Sequence, residues 1–290
     1  MKQILITGGL GFIGASLARN LITDGKEVTI VDNLSNNTVD NVGGATLYLE
    51  DVSSFFEKNH KSNDFKFDTI FHFGEYSRVE TSFKDEEGVF KNNRNSFYSV
   101  LNYVKKSKAK LIYSASSTLF GDNGSNRFLT PYAFTKYQNV EFLKVYGDWY
   151  NLNYAICYFY NVYGCGENSD EEMGTVIAKF LRYKGEGREY LPVNSPGTQK
   201  RNFTHINDTV NALKLIGKRG QGDGYGIGNE KKYSILEIVS LLECKPTLMP
   251  EVRGNRLDGE LLTEKTLSLG WAPQFQLDQY LSEELEKLRS

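Results

Sequence analysis

Two side chains suited to acid–base chemistry lie four residues apart in the segment Pro131-Tyr132-Ala133-Phe134-Thr135-Lys136. In a helix this spacing puts the phenol and the ammonium on one face, one turn apart. An ammonium beside a phenol favours the ionised phenolate, because opposite charges stabilise each other. A phenolate can accept a proton from a hydroxyl group while hydride leaves the same carbon. The pair alone is not diagnostic, because many surface helices carry a tyrosine and a lysine at this spacing.

Small hydroxyl side chains follow an apolar run in the middle of the chain. The run covers residues 110–113, and Ser114-Ala115-Ser116-Ser117-Thr118 comes directly after it. If the run is a strand of a parallel sheet, these hydroxyl groups lie at its carboxyl end, where such sheets hold their ligands. The hydroxyl-bearing loop is therefore a candidate neighbour of the tyrosine.

Three glycines near the N-terminus, Gly8, Gly11 and Gly14, lie between a predicted strand and a predicted helix. In that context the first permits a tight turn, the second lets backbone approach a pyrophosphate, and the third lets the helix pack on the strand. Phe12 and Ile13 begin the helix, whose free N–H groups would face the phosphates. The spacing predicts a dinucleotide site.

Acidic residues end the next two apolar runs. Asp32 closes the second run, where a carboxylate can accept hydrogen bonds from both ribose hydroxyls of an adenosine. No Lys or Arg follows between residues 33 and 41 to bind a 2′-phosphate, so NAD is favoured over NADP. Asn33 is a further candidate contact, and Asp51 with Val52 is placed to meet the adenine. The alternative for Asp32 is an ordinary turn residue at the end of a strand.

Alternating apolar runs and amphipathic stretches must position these groups. The predicted strands cover residues 3–7, 28–31, 46–49, 69–73, 110–113 and 154–159. Helices are predicted over 12–23 and 132–150, and in the second half over 172–183, 207–216, 235–242 and from 274 onward. Strands separated by helices imply an α/β fold with a doubly wound parallel sheet. We expect a Rossmann domain over residues 1–164, to which about 201–228 return, and a smaller C-terminal α/β substrate lobe over 165–290.

Composition excludes several classes of protein. The 290 residues carry a net charge of -2 and no basic stripe, which argues against binding of nucleic acid. No apolar run approaches the length of a membrane span, and the N-terminal run is too short for a signal peptide. The three cysteines are scattered without metal-ligand spacing, so we expect no metal site, structural cysteines and a reducing, cytoplasmic location.

The order of these motifs resembles that of the extended short-chain dehydrogenase/reductase superfamily, in its nucleotide-sugar epimerase/dehydratase branch. The resemblance spans nearly the whole chain. The matching positions are the glycine loop, Asp32, Asp51, His72, Asn92, Ser116, Tyr132, Lys136, Asn161, Lys200-Arg201-Asn202-Phe203-Thr204-His205 and Gly270-Trp271-Ala272-Pro273.

The resemblance implies roles for individual residues. Tyr132 would be the general acid or base, and Lys136 would hold the nicotinamide ribose and favour the phenolate. Ser116 would bond the reacting sugar oxygen, with Ser117 and Thr118 as further substrate contacts. Phe73 and Asn92 would lie beside the cofactor, with Asn92 steadying the helix that carries Tyr132.

At the other end of the substrate, the resemblance implies a grip on the diphosphate by Asn161, Arg201 and Arg253, since guanidinium groups suit phosphates. For the two arginines the alternative is a solvated charge or a surface ion pair. His72 is expected to be a structural residue at the end of a strand.

Departures from the family pattern narrow the chemistry. Sugar 4,6-dehydratases and related decarboxylases of this branch carry a Glu just after the catalytic Ser or Thr. Ser117 and Thr118 stand there in this chain, and neither is a base at neutral pH, which argues against both activities. Glu75 and Arg78 bring charge near the nicotinamide end, where they either contact the sugar or pair with each other. The short loop over residues 122–130 would leave room for a larger sugar.

These observations predict NAD-dependent oxidoreduction at C4 of a nucleotide-diphosphate sugar through a 4-keto sugar. A 4-epimerase, which returns the hydride to the sugar, is favoured. A C4 dehydrogenase that releases the keto sugar and leaves NADH is the alternative, and a non-catalytic NAD-binding protein is a third reading. By resemblance we expect a homodimer through the helices around residues 89–105 and 132–150.

Overall fold

The computed structural model describes residues 1–36, 38–59, 66–252 and 258–290. The strands are β1 (Gln3–Thr7), β2 (Glu27–Asp32), β3 (Thr46–Leu49), β4 (Thr69–His72), β5 (Lys110–Ser116), β6 (Tyr154–Phe159), β7 (Val162–Tyr163), β8 (Tyr190–Asn194), β9 (Lys200–Asn202), β10 (Thr204–His205), β11 (Gly222–Ile227), β12 (Lys232–Ser234) and β13 (Lys245–Met249). The α-helices are α1 (Phe12–Thr23), α2 (Val52–Asn59), α3 (Glu86–Phe90), α4 (Ser96–Ser107), α5 (Pro131–Tyr150), α6 (Val176–Gly185), α7 (Ile206–Arg219), α8 (Ile235–Leu241), α9 (Glu264–Leu267) and α10 (Leu277–Arg289).

In the described part of the chain, seven parallel strands form the central sheet, in the order β11-β6-β5-β4-β1-β2-β3. The central strands are continuous apolar runs because both faces of the sheet are covered; every residue of β5 is buried. After β1 the chain forms β2 and β3 on one side of this strand and then crosses over to form β4 on its other side. The crevice outside their carboxyl ends is where such a sheet binds ligands.

Helices cover both faces of the sheet, each over its own apolar core. On one face α1 packs against α7, with Leu17 and Leu213 fully buried. On the other face α2, α4 and α5 bury Phe55, Phe97 and Leu143. The predicted doubly wound α/β fold is confirmed.

A third apolar core lies in the second half of the chain. It joins α6, β8, α8 and α10 through buried residues such as Phe180, Leu191, Ile238 and Leu281. Strand β8 pairs in parallel with β13, while β9 pairs antiparallel with β12. This smaller α/β lobe stands over the carboxyl edge of the main sheet, since its residues share a cavity with that edge.

The helix predicted from residue 172 begins only at Val176. The carboxylate of Asp170 accepts hydrogen bonds from the backbone N–H groups of Glu172 and Met173, at 2.9 and 3.0 Å, and holds the preceding residues in turns. Such local side-chain bonds compete with helix formation. The strands after β6 were not predicted. In β8 the buried side chains alternate with exposed ones, and in β13 every side chain is exposed, so neither forms a continuous apolar run.

Among the residues described, no helix is both long enough and apolar enough to cross a membrane. The 20-residue helix α5 illustrates the reason, since lysine, glutamate and aspartate recur along it.

Candidate active site

A cavity of about 980 Å³ opens outside the carboxyl ends of β1, β4 and β5, beneath the smaller lobe. Its volume lies at the upper end of the range for small-molecule sites. One end is lined by the glycine loop and the end of β2, and the other by the loop after β5 and the start of α5.

The glycine loop has the backbone geometry that a pyrophosphate site requires. Gly8 has φ +65°, and a Cβ there would lie 2.8 Å from backbone of the segment after β4. A Cβ on Gly14 would lie 2.2 Å from the carbonyl oxygen of Gly8, so neither position admits a side chain. Gly11 differs, because a Cβ there would meet no protein atom closer than 3.4 Å. Gly11 lines the cavity with Phe12 and Ile13, and no side chain caps the helix that begins there, so the loop leaves space and N–H donors for a phosphate.

Asp32 lines the cavity at the end of β2 and is fixed by the backbone. Its two carboxylate oxygens accept hydrogen bonds from the N–H groups of Leu10 and Leu34, at 2.9 and 2.8 Å. A carboxylate oxygen has two lone pairs, so each keeps one for a ribose hydroxyl. The wall beside it is formed by Asn33, Asp51 and Val52, of which Asn33 donates to Asp51 at 2.8 Å.

Tyr132 is the second residue of α5, and the start of that helix fixes its place. Thr130 caps the helix by accepting a hydrogen bond from the N–H of Ala133 at 3.0 Å, and Pro131 takes the first helical position. The ring lines the cavity. Within the ranges described, the Tyr132 hydroxyl has no hydrogen-bond partner, so it is available to a ligand.

The hydroxyl loop after β5 lies in the same end of the cavity, where Ser116, Ser117 and Thr118 all contribute to the wall. Ser116 Oγ accepts a hydrogen bond from the Thr118 hydroxyl at 2.9 Å. The proton of the Ser116 hydroxyl is therefore free to be donated to a substrate oxygen.

Lys136 does not line the cavity; it lies beneath Tyr132 and is 5% exposed. Its Nζ donates to the carbonyl oxygen of Ser114 at 2.6 Å and forms an ion pair with Glu75. The expected alternative that Glu75 pairs with Arg78 is wrong, because the partner of Glu75 is Lys136. Glu75 contributes to the cavity wall, but its side chain is 1% exposed.

The Glu75 carboxylate has further hydrogen-bond donors besides Lys136. It accepts hydrogen bonds from Asn139 Nδ2 at 2.9 Å and from the Tyr113 hydroxyl at 3.1 Å. Burial alone would favour the neutral acid, but the Lys136 ammonium and the His72 ring outweigh it and hold the pKa of Glu75 below its usual value. Burial, reinforced by the Glu75 charge, raises the pKa of Tyr113 well above its usual value, so this hydroxyl stays a donor.

His72 lies fully buried at the end of β4 and supports Glu75 from behind. Thr7 Oγ1 accepts a hydrogen bond from the N–H of Gly74 at 3.1 Å and shares a hydrogen bond of 2.7 Å with His72 Nδ1. The other ring nitrogen, Nε2, faces Glu75 Oε1 at 3.5 Å, too long for a full hydrogen bond.

Asn93, which the sequence did not single out, ties the preceding segment to α5. Its Nδ2 donates to Thr135 Oγ1 at 2.9 Å, and its carbonyl oxygen accepts from Asn139 at 2.7 Å. Asn92 lines the cavity, but the support of α5 expected of it is given by Asn93. Residues Lys91–Asn95 form a π-helical turn, a feature common at functional sites, and a pair of adjacent asparagines gives no sign of which one points inward.

Arg78 and Glu167 form a second charged group beside Tyr132. Arg78 Nε donates to the carbonyl oxygen of Met173 at 2.6 Å. Burial lowers the pKa of Arg78, although Tyr132 and Glu167 oppose the shift. Glu167 accepts hydrogen bonds from Thr175 Oγ1 and the N–H of Gly164, yet burial raises its pKa to about 7. Both line the cavity, and Glu167 was missed from sequence because nothing local predicts its burial.

The remaining predicted residues lie around the cavity at the boundary of the two lobes. Asn161 lines it and donates from Nδ2 to the carbonyl oxygen of Asn202 at 2.8 Å. Arg201 lines it half-buried, and one guanidinium nitrogen reaches the carbonyl oxygen of Lys200 at 2.9 Å. Phe73 lines it with its ring centroid 6.0 Å from that of Phe159. Arg253 lies outside the described residues.

Comparison with known proteins agrees with this geometry. Residues 4–228 match the model of the NAD dependent epimerase/dehydratase family. A putative UDP-glucose 4-epimerase of Methanocaldococcus jannaschii is 26% identical over 95% of this chain and 94% of its own. A UDP-N-acetyl-alpha-D-glucosaminuronate decarboxylase of Bacillus cytotoxicus is 28% identical over 82% of this chain and 78% of its own.

Among solved structures, the UDP-glucose 4-epimerase of Thermotoga maritima with UDP-glucose superposes with a TM-score of 0.89 and 25% identity, covering 99% of this chain and 98% of that one. The family match spans both the glycine loop and the Tyr132–Lys136 pair. The chain belongs to the NAD dependent epimerase/dehydratase family, and NAD is its cofactor.

Proposed function

We propose that this enzyme is an NAD-dependent epimerase that acts at C4 of a nucleotide-diphosphate sugar. The observation that carries the proposal is the unpartnered Tyr132 hydroxyl, which shares one cavity with Ser116 and the glycine loop. When bound, NAD would accept hydride from C4 of the sugar and could give it back. The rest of the chemistry falls to side chains of this chain.

At the cofactor end, Gly8, Gly11, Gly14, Phe12 and Ile13 would hold the pyrophosphate, and Asp32 the adenosine ribose. Asn33, Asp51 and Val52 would surround the adenine, with Phe73 and Asn92 nearer the nicotinamide. In this division residues 1–164, together with about 201–228, hold NAD, and residues 165–290 supply most of the substrate lobe.

At the reacting end, the Tyr132 phenol would accept the proton of the C4 hydroxyl and later return it. The Ser116 hydroxyl, whose own proton is free, would donate to the same oxygen, with Ser117 and Thr118 beside it. Asn161, Arg201 and Arg253 would bind the diphosphate. Arg78, whose charge interacts with Tyr132, would be a further contact of the sugar. Lys136, which lies beneath the Tyr132 ring, would hold the nicotinamide ribose.

The loop after Ser116 supports an epimerase over a dehydratase or a decarboxylase. Those reactions need a carboxylate base there, whereas Ser117 and Thr118 remain un-ionised near neutral pH. One relative described above is a decarboxylase, so the absence of decarboxylation by this enzyme is a result that the proposal requires.

The test is product analysis of the purified enzyme with NAD+ and a panel of UDP-, GDP- and dTDP-hexoses. We expect conversion between C4 epimers without net NADH. Tyr132→Phe should lower the rate by about 100-fold or more, the usual contribution of a general acid–base group. Tyr137→Phe, on the same helix but outside the cavity, is the matched control and should retain the parent rate.

The outcomes separate the candidate functions. A released keto sugar with stoichiometric NADH would replace the epimerase with a C4 dehydrogenase. Equal turnover by the parent and Tyr132→Phe would contradict the catalytic assignment. Tight NAD binding without turnover of any sugar would favour a non-catalytic NAD-binding protein.

We further propose that the protein forms a homodimer through α4 and α5. The rings of Tyr98 on α4 and Phe142 on α5 stack with centroids 6.4 Å apart, so the two helices present a continuous aromatic surface. On that surface Tyr98, Val145 and Trp149 are 51%, 44% and 66% exposed. A second copy would cover these side chains.

A further inference from the structure

A carboxylate is buried directly beneath the proposed catalytic pair. Glu75 lies on the segment after β4, 61 positions from Lys136 in the chain, and its side chain is 1% exposed. Burying a carboxylate is costly unless it is paired and hydrogen-bonded. Lys136, Asn139 and Tyr113 donate to its two oxygens, so the buried charge is compensated by an ammonium and two hydrogen bonds.

The ion pair limits what Lys136 is able to do. An ammonium has three N–H donors. One goes to Glu75 and one to the carbonyl oxygen of Ser114 at 2.6 Å, while the nearest further acceptor, Ser114 Oγ, lies 3.5 Å away. Two strong bonds from different elements fix the ammonium, and only the third donor remains for a ribose hydroxyl.

The ion pair also changes the field at Tyr132. An isolated ammonium one turn away would stabilise the phenolate, but an adjacent carboxylate cancels most of that effect beyond a few ångströms. Other titratable groups among the described residues also face this site. Arg78 approaches Tyr132 from the segment after β4, with Glu167 behind it, and His72 and Tyr113 face Glu75 from β4 and β5.

We propose that Glu75 is a positioning residue for the Tyr132–Lys136 pair: it fixes the Lys136 ammonium, screens its charge from Tyr132 and so sets the pH range in which Tyr132 accepts a proton. This inference rests on the proposed role of Tyr132 as acid–base group. It assigns to Glu75 an action through Lys136, without contact with the sugar.

The test is a pH titration of the Tyr132 phenolate by its near-ultraviolet absorbance, with and without NAD+. Subtracting the titration of Tyr132→Phe isolates this tyrosine from the others. In Glu75→Gln the ammonium is no longer screened, so the phenolate should appear about one pH unit lower than in the parent. The acid limb of the pH–rate profile, in which the rate rises as Tyr132 loses its proton, should move in the same direction. Asp24→Asn, which removes the ion-pair partner of Lys214 outside the cavity, should leave both unchanged.

Conservative replacement separates charge from position. Glu75→Asp keeps the charge but draws it back by one methylene, so the titration should stay near that of the parent while kcat falls several-fold. If Glu75→Gln does not fold, the double variant Glu75→Gln/Lys136→Met decides, because it removes both charges. Its phenolate should titrate near the parent value; a rise of a full pH unit would mean that Lys136 acts unscreened and would overturn the inference.

Two results contradict the inference directly. A folded Glu75→Gln with the titration and pH–rate profile of the parent would make Glu75 a structural residue only. A shift to higher pH would reverse the assigned sign. Because the titration needs no sugar, it remains decisive even if the parent turns over no nucleotide sugar, an outcome that would overturn the proposed function alone.

Discussion

At the scale of single residues, burial raises the pKa of two carboxyl groups in this site, and their different partners decide the outcome for each. Burial favours the neutral form of Glu75, but the Lys136 ammonium and the His72 ring outweigh it and hold the pKa below its usual value. At Glu167 burial outweighs the hydrogen bonds from Thr175 and Gly164 and the charge of Arg78, so its pKa rises to about 7. Two carboxylates in one cavity wall therefore differ in protonation at neutral pH.

The raised pKa of Glu167 predicts a pH dependence of stability. A carboxyl group whose folded-state pKa is about 7 against an ordinary 4.5 binds its proton more tightly when folded. Its contribution is fully present below pH 4.5 and is lost as the pH rises through 7. Relative to the parent, Glu167→Gln should gain roughly 3 kcal/mol in free energy of unfolding between pH 4.5 and pH 8.

Urea denaturation at both pH values measures this difference. Glu172→Gln, an exposed neighbour in the same loop, is the control and should follow the parent at each pH. An equal difference in free energy of unfolding between Glu167→Gln and the parent at both pH values would show that Glu167 ionises normally.

At this scale the sequence predicts which residues line the cavity where local backbone places them, and it does not predict the partners that tertiary packing brings together. The glycine loop and Asp32 were predictable because a strand, a turn and a helix adjoin in the chain. The pairing of Glu75 with Lys136 was not, because the two residues meet only after α5 has packed under β4 and β5. Asn93 was missed for the same reason.

At the scale of elements, the first turn of α5 is where stability and the proposed chemistry meet. Thr130 Oγ1 satisfies a backbone N–H that would otherwise lack a partner, and Tyr132 follows two residues later. Thr130→Ala should lower the free energy of unfolding by about 1 kcal/mol. It should also reduce kcat roughly tenfold, because a loosened first turn misplaces the phenol.

The matched control lies at the other end of the same helix. Asn151 ends α5 with φ 50°, a conformation that Ala adopts poorly, so Asn151→Ala should cost a similar amount of stability. Its kcat should stay near that of the parent. Equal losses of kcat in the two variants would show that helix stability in general, and not the cap, governs the rate.

Element boundaries followed from sequence where apolar periodicity was strong. Helix α1 covers the predicted residues 12–23, and β6 the predicted 154–159. The predicted start of α6 was wrong, because turns held by Asp170 precede the helix. Strands β8 and β13 were not predicted, because an exposed pair of strands lacks the apolar run of a buried strand.

At the scale of the whole molecule, the two lobes touch across the cavity that they share. Asn168 donates to Asn36 Oδ1 at 3.1 Å, beside the predicted adenosine end, and Arg78 holds the Met173 carbonyl oxygen on the same loop. Trp271 belongs to the apolar core on the α1–α7 face, and its Nε1 donates to the carbonyl oxygen of Asp208 at 2.9 Å, which ties the C-terminal part of the chain to α7.

The aromatic surface of α4 and α5 makes the homodimer testable. Light scattering should give twice the chain mass at micromolar concentration. Trp149→Lys should yield a folded monomer, because an unpaired charge is costly to bury in an interface while it costs little at a position 66% exposed in the single chain. Phe128→Lys, at a position 61% exposed but outside α4 and α5, should leave the dimer intact. A monomeric parent would exclude this surface as the interface. So would a dimer unaffected by Trp149→Lys, because a lysine buried in the interface at this position would have no opposite charge beside it.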